Sequence, residues 1–162
     1  MPAPLLLRRL TMAQSPSKDS LSPLDLLHRA GLQADSLFIR NVGDVRLTPR
    51  QYAVLRAVFQ ENGLSQTAIM AATGIDRSST AELVRRLVSL GALQRRRTKR
   101  DARQYAVRLT AKGRDLVAVG QKAARHADES LLSRVPLALQ RPFLEALKFA
   151  SMPDLHPTSG RE

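Results

Sequence analysis

The side chains able to do chemistry are concentrated between residues 74 and 114, and the chemistry they suit is recognition of a polyanion. Twelve basic residues lie there: Arg77, Arg85, Arg86, Arg95, Arg96, Arg97, Lys99, Arg100, Arg103, Arg108, Lys112 and Arg114. Only Asp76, Glu82 and Asp101 oppose them, so +9 of the formal net charge of +12 sits in a quarter of the chain. A uniformly basic protein is merely well solvated, whereas a concentrated patch points to nucleic acid.

Wound as a helix, residues 77–90 divide into two faces. Thr80, Leu83, Val84, Leu87 and Val88 gather on one side, and Ser78, Ser79, Glu82, Arg85, Arg86 and Ser89 on the other. The first side can seat the helix on a domain. The second can enter a DNA major groove, where arginines read guanine edges and hydroxyls meet phosphates. A basic hairpin follows, with Lys99, Arg100, Asp101 and Arg103 in its loop. Arg100 and Arg103 suit a narrow minor groove, and Asp101 suits an internal pair that holds the loop in shape. The expected DNA-contacting residues are Ser65, Gln66, Thr67, Arg77, Ser78, Ser79, Thr80, Glu82, Arg85, Arg86, Arg97, Lys99, Arg100, Asp101 and Arg103. The competing reading is a solvated helix face beside a turn kept soluble by charge.

The elements that position these residues follow from punctuation along the chain. Residues 1–20 lack periodicity and read as a disordered leader, with Met12 an alternative start. Ser22-Pro23 opens a helix carrying the stripe Leu24, Leu27, Gly31, Ala34 and Phe38, and Gly43 stops it. Thr48-Pro49 opens a second helix, with Tyr52, Leu55, Val58 and Phe59, ending near Asn62-Gly63. Ser65 caps a short third helix that Gly74 breaks, and Asp76 caps the helix from about Arg77 to Leu90. Short helix, glycine break and longer helix make a helix-turn-helix.

Two strands are expected next, about Leu93 to Arg97 and Gln104 to Leu109. In the second, Tyr105, Val107 and Leu109 alternate with Gln104, Ala106 and Arg108. Thr110 caps a long helix whose seam, Leu116, Gly120, Ala123, Ala127 and Leu131, is small enough for another helix to approach closely. Pro136 and Pro142 bracket the start of a last helix with Phe143, Leu144, Leu147 and Phe149.

These features resemble the MarR (multiple antibiotic resistance regulator) family of winged-helix transcription factors. The resemblance rests on Leu47-Thr48-Pro49-Arg50-Gln51-Tyr52-Ala53-Val54-Leu55, on the 77–93 stretch ending Leu87-Val88-Ser89-Leu90-Gly91-Ala92-Leu93, and on Lys99-Arg100-Asp101-Ala102-Arg103 followed by Leu109-Thr110-Ala111-Lys112-Gly113. The fold it implies is mainly α, a winged helix-turn-helix with a small β-hairpin wing plus terminal dimerisation helices. The division is a leader at 1–20, a first dimerisation helix at 21–45, a DNA-binding domain at 46–110, C-terminal dimerisation helices at 111–152 and a loose tail at 153–162.

The resemblance further implies a homodimer whose first and last helices interlock and whose two winged domains face a pseudo-palindromic operator. The half-sites would lie about one turn, ~10 bp, apart. The family's Asp-x-Arg wing motif falls on Asp101 and Arg103, while Ala102 stands where many relatives carry a second arginine. Release from DNA by a small aromatic acid or an acyl-CoA-type effector is the family's habit, and His28, Leu32, Phe38, Tyr52 and Arg56 are the candidate lining residues. Phe38 and Tyr52 equally suit core stripes, and His28 a packed or exposed position. Arg29 and Arg40 are further candidates for an anionic group.

Other classes fare worse. The absence of cysteine excludes disulfides, thiolate metal sites and thiol redox sensing, and fits a cytoplasmic protein. There is no nucleophile–base pair of recognised spacing, no glycine-rich phosphate loop and no metal-ligand cluster, and His28, His126 and His156 are scattered. No enzyme, cofactor, metal or membrane partner is therefore expected. The alternative that survives is a sequence-indifferent nucleic-acid-binding or chromosome-architecture protein, for which the basic patch alone suffices.

Overall fold

The computed structural model describes residues 21–61, 63–97 and 105–152. It contains α1 (Pro23–Val42), α2 (Pro49–Gln60), α3 (Gln66–Thr73), α4 (Arg77–Ser89), β1 (Leu93–Arg97), β2 (Tyr105–Leu109), α5 (Ala111–Leu132) and α6 (Leu137–Ala150). The chain divides into two compact units between Leu32 and Gln33, inside α1. The leader, the wing tip and the tail expected from the sequence lie outside the described residues.

In the first unit, Ser22 and Asp25 cap α1 reciprocally. Ser22 Oγ accepts from the Asp25 amide at 3.1 Å, and Asp25 Oδ2 accepts from the Ser22 amide at 3.2 Å. The stripe that follows is uncovered: Leu24 is 76% exposed, and Leu26, Leu27 and Leu32 are exposed as well.

The second unit holds the core. Thr48 Oγ1 accepts from the Gln51 amide at 3.2 Å and Gln51 Oε1 accepts from the Thr48 amide at 3.0 Å, so α2 begins with a full capping box. Ser65 caps α3 through the Ala68 amide at 3.1 Å. Gly74 ends it in the left-handed region at φ 68°, which a side chain would strain, and so turns the chain into α4. Val54, Leu55, Val58, Ile69, Val84, Leu87, Leu93, Val107 and Val117 fill the space between α2, α3, α4, α5 and the hairpin. Truncating a buried leucine such as Leu55 costs about 2–5 kcal/mol, so these residues fix the relative placement of the elements.

β1 and β2 pair antiparallel, from Leu93 opposite Leu109 to Arg97 opposite Tyr105. Leu64 adds an isolated bridge to Val107, accepting its amide at 2.8 Å, and ties the hairpin to the segment before α3. The alternation expected in β2 holds only in part. Val107 is buried, but Ala106 is buried too and Tyr105 is exposed. The Gly63–Leu64 segment runs beside β2 there, where a Cβ built at Gly63 would touch the Ala106 methyl, while Tyr105 stands at the strand's outer end.

The small seam of α5 does admit another helix, and that helix is α2 of the same chain. A Cβ at Gly120 would collide with the Tyr52 ring, and one at Gly113 with the Ala92 carbonyl. Helix α6 begins well before Pro142, which lies inside it, and Gln140 donates to the Leu132 and Val135 carbonyls at 3.0 and 3.2 Å across the α5–α6 turn. No residue of α6 is buried, and Leu137, Leu139, Leu144 and Phe149 are exposed.

Candidate nucleic-acid interface

Helix α4 is seated by Thr80, Val84 and Leu87, all fully buried, and presents Arg77, Ser78, Arg85, Arg86 and Ser89 outward. Thr80, among the expected contacts, stands apart from its neighbours: its side chain is buried and its hydroxyl donates to the Ile75 carbonyl at 3.2 Å. A hydroxyl invited a binding role, but Thr80 lies on the apolar stripe, and the core claims it.

The start of α4 is also more occupied than a bare helix N-terminus. Asp76 Oδ1 accepts from the Ser79 amide at 2.9 Å and from the Ser78 hydroxyl at 2.7 Å. These bonds, the Ser79 amide first, hold the Asp76 carboxyl well below the usual aspartate range. Ser78 keeps its lone pairs for a donor, but its proton is engaged, and the carboxylate opposes a phosphate at this helix end.

Further along, Glu82 joins both arginines. Its Oε2 accepts from Arg85 Nε at 3.1 Å, and its Oε1 accepts from Arg86 Nε at 3.0 Å. The Arg85 and Arg86 bonds hold the Glu82 carboxyl below its ordinary value. Gln51, Glu82, Arg85, Arg86, Ser89 and Leu90 line an open groove of about 510 Å³ along the helix.

Ser65, Gln66 and Thr67 stand at the start of α3, with Ser65 and Thr67 exposed. Arg97 lies at the outer end of β1 opposite Tyr105. Lys99, Arg100, Asp101 and Arg103 lie outside the described residues. Arg95 and Arg96 on β1 are exposed cations outside the expected contact set.

A family model described as the MarR family matches residues 47–104. The transcriptional regulator HosA of Escherichia coli is 30% identical over 102 residues, which span 63% of this chain and 76% of HosA. The chain belongs to the MarR family. Among solved structures, CouR, a transcriptional repressor bound to a 23-mer DNA duplex, is 28% identical with a TM-score of 0.73, covering 81% of this chain and 93% of CouR. BpsR of Bordetella bronchiseptica, whose structure concerns regulation of DNA binding by 6-hydroxynicotinic acid, is 27% identical with a TM-score of 0.71, covering 78% of this chain and 96% of BpsR. The expected winged-helix fold is the one observed, and this MarR-family chain is a DNA-binding transcriptional regulator.

Of the candidate effector residues, the structure brings three together. The Phe38 and Tyr52 rings stack with centroids 5.3 Å apart and planes 29° from parallel, and the Arg56 guanidinium lies 5.9 Å from the Tyr52 centroid. Burial pushes the Tyr52 phenol up, against the opposing pull of Arg56. Tyr52 and Arg56, with Gln121, Ala124, Arg125 and Asp128 of α5, line an open groove of about 400 Å³. The α5 residues are not among those expected from the sequence, because nothing local links them to α2. His28 and Leu32 belong to the first unit, where both are exposed. Arg29 and Arg40 are exposed too. Among the described residues, no group of His, Cys, Asp or Glu can hold a metal, and no helix is long and apolar enough to cross a membrane.

Proposed function

We propose that this chain is a homodimeric, sequence-specific repressor released from a pseudo-palindromic operator by a small aromatic acid or acyl-CoA-type ligand. The observation that carries the reading is α4. Three buried side chains fix it to the core, and its outward face is made of arginines and hydroxyls. Residues 46–110 form the DNA-binding domain, in which Arg100 and Arg103 of the wing suit the adjacent minor groove and Asp101 suits a pair that shapes the wing loop. Residues 21–45 and 111–152 supply the dimer, and the uncovered apolar faces of α1 and α6 support this role. Two copies related by a two-fold axis read two half-sites about one turn, ~10 bp, apart.

The Tyr52 groove supports the effector half of the reading. Arg56 and Arg125 suit a carboxylate or a phosphate, and the Tyr52 ring suits an aromatic face. The ligand of BpsR, a hydroxylated aromatic acid, has this chemistry.

Selection of duplexes from a random pool, followed by footprinting of the winner, tests the proposal. Two symmetric protected half-sites are expected, and addition of 6-hydroxynicotinic acid or related aromatic acids should release the DNA from wild type but not from Arg125→Ala. Equal affinity for selected and scrambled duplexes would establish the sequence-indifferent alternative that the concentrated charge favours.

A further inference from the structure

Glu82 is an acid set between Arg85 and Arg86 on the outward face of α4. On an α-helix, residues three and four positions apart are neighbours, so one carboxylate can serve both Arg85 and Arg86. The bonds fall on one side of each guanidinium. Arg85 gives Glu82 its Nε and Nη2 protons and Arg86 gives its Nε proton. Among the described residues, no acceptor engages the opposite edge, formed by the two Nη groups. All three side chains are well exposed, at 67% and 66% for the arginines and 43% for Glu82, so the ion pairs themselves add little to folding.

A guanine presents O6 and N7 to the two-Nη edge of an arginine, which Glu82 leaves available. A phosphate can instead take the Nε–Nη2 fork, which Glu82 fills on Arg85 and occupies at Nε on Arg86. We propose that Glu82 is a specificity-determining positioning residue, which aims the outer edges of Arg85 and Arg86 at guanine and withholds the side fork of Arg85 from phosphate. The inference rests on the reading of α4 as the DNA-reading helix. It adds that sequence discrimination depends on an acid that touches no DNA.

The test compares full-length wild type, Glu82→Ala and Glu82→Gln on two probes across a salt series. One probe is the duplex that wild type enriches from a random pool, the other its scrambled counterpart. Glu82→Ala is expected to bind the scrambled duplex several-fold more tightly. Its log–log salt slope should steepen by about one, because a cation is released for phosphate contact. The ratio of selected to scrambled affinity should fall about tenfold or more, within the worth of one bidentate base contact. Glu82→Gln, which keeps an acceptor and loses the charge, should fall between the two. An unchanged ratio and slope in both variants would overturn the proposal. Loss confined to the selected duplex, with scrambled binding unchanged, would overturn it too, because Glu82 would then contact a base itself. If wild type enriches no sequence at all, sequence-specific regulation fails, and this inference with it.

Discussion

Thr80 and Arg85 sit little more than a turn apart on α4 and answer to different masters. The Thr80 hydroxyl is spent inside the protein on the Ile75 carbonyl. Thr80→Val therefore removes the donor to a part-buried carbonyl, a loss of about 0.5–1.5 kcal/mol in urea-unfolding stability. Affinity for DNA, measured where the variant is fully folded, should hardly move. Arg85→Ala should do the reverse. Its side chain is exposed, so unfolding stability should stay near wild type, while discrimination at one base pair drops by about 1–3 kcal/mol. A uniform loss across all sequences would assign Arg85 to phosphate instead.

At the scale of elements, the helix boundaries were the most legible part of the chain. Thr48, Ser65, Asp76 and Thr110 all cap the helices that follow them, because a hydroxyl or carboxylate needs only its own local backbone to bond the first-turn amides. The Asp76 cap can be titrated. Its folded-state pKa is depressed, so the contribution of the cap is complete above the ordinary value of 3.8 and is lost only as pH falls below it. The Ser79 amide resonance should report a midpoint below 3.8, and a midpoint at or above that value would mean that the cap is not formed in solution.

Contacts between distant elements were less legible. The small seam of α5 announced a close neighbour but not which one, and only the fold sets Gly120 against Tyr52. Alanine at position 120 would favour the helix by ~1 kcal/mol. Overpacking costs about 1–3 kcal/mol, and the Tyr52 ring, stacked on Phe38, has little room to retreat. Gly120→Ala should therefore lower the denaturation midpoint, and a raised midpoint would show that the ring yields. For the same reason the Arg125 side of the groove was invisible. It lies on α5, far along the chain from Arg56.

At the scale of the whole molecule, α6 is a helix that the described chain leaves without a buried face. Phe149 is 73% exposed, so a charge there should not disturb the monomer's own core. Light scattering should find wild type at twice the chain mass and Phe149→Asp shifted towards the single chain, with helical circular dichroism retained. A wild-type monomer at micromolar concentration would remove the two-fold reading of DNA.

The Leu64–Val107 bridge carries a consequence for how the domain opens. A two-stranded ribbon alone is marginal in water. Here its second strand is also held by the Leu64 carbonyl, from the segment between α2 and α3. The ribbon should therefore melt with the helical core, not ahead of it. The Val107 amide should exchange its hydrogen as slowly as the amides of α2, so the wing's root opens only when the whole domain does.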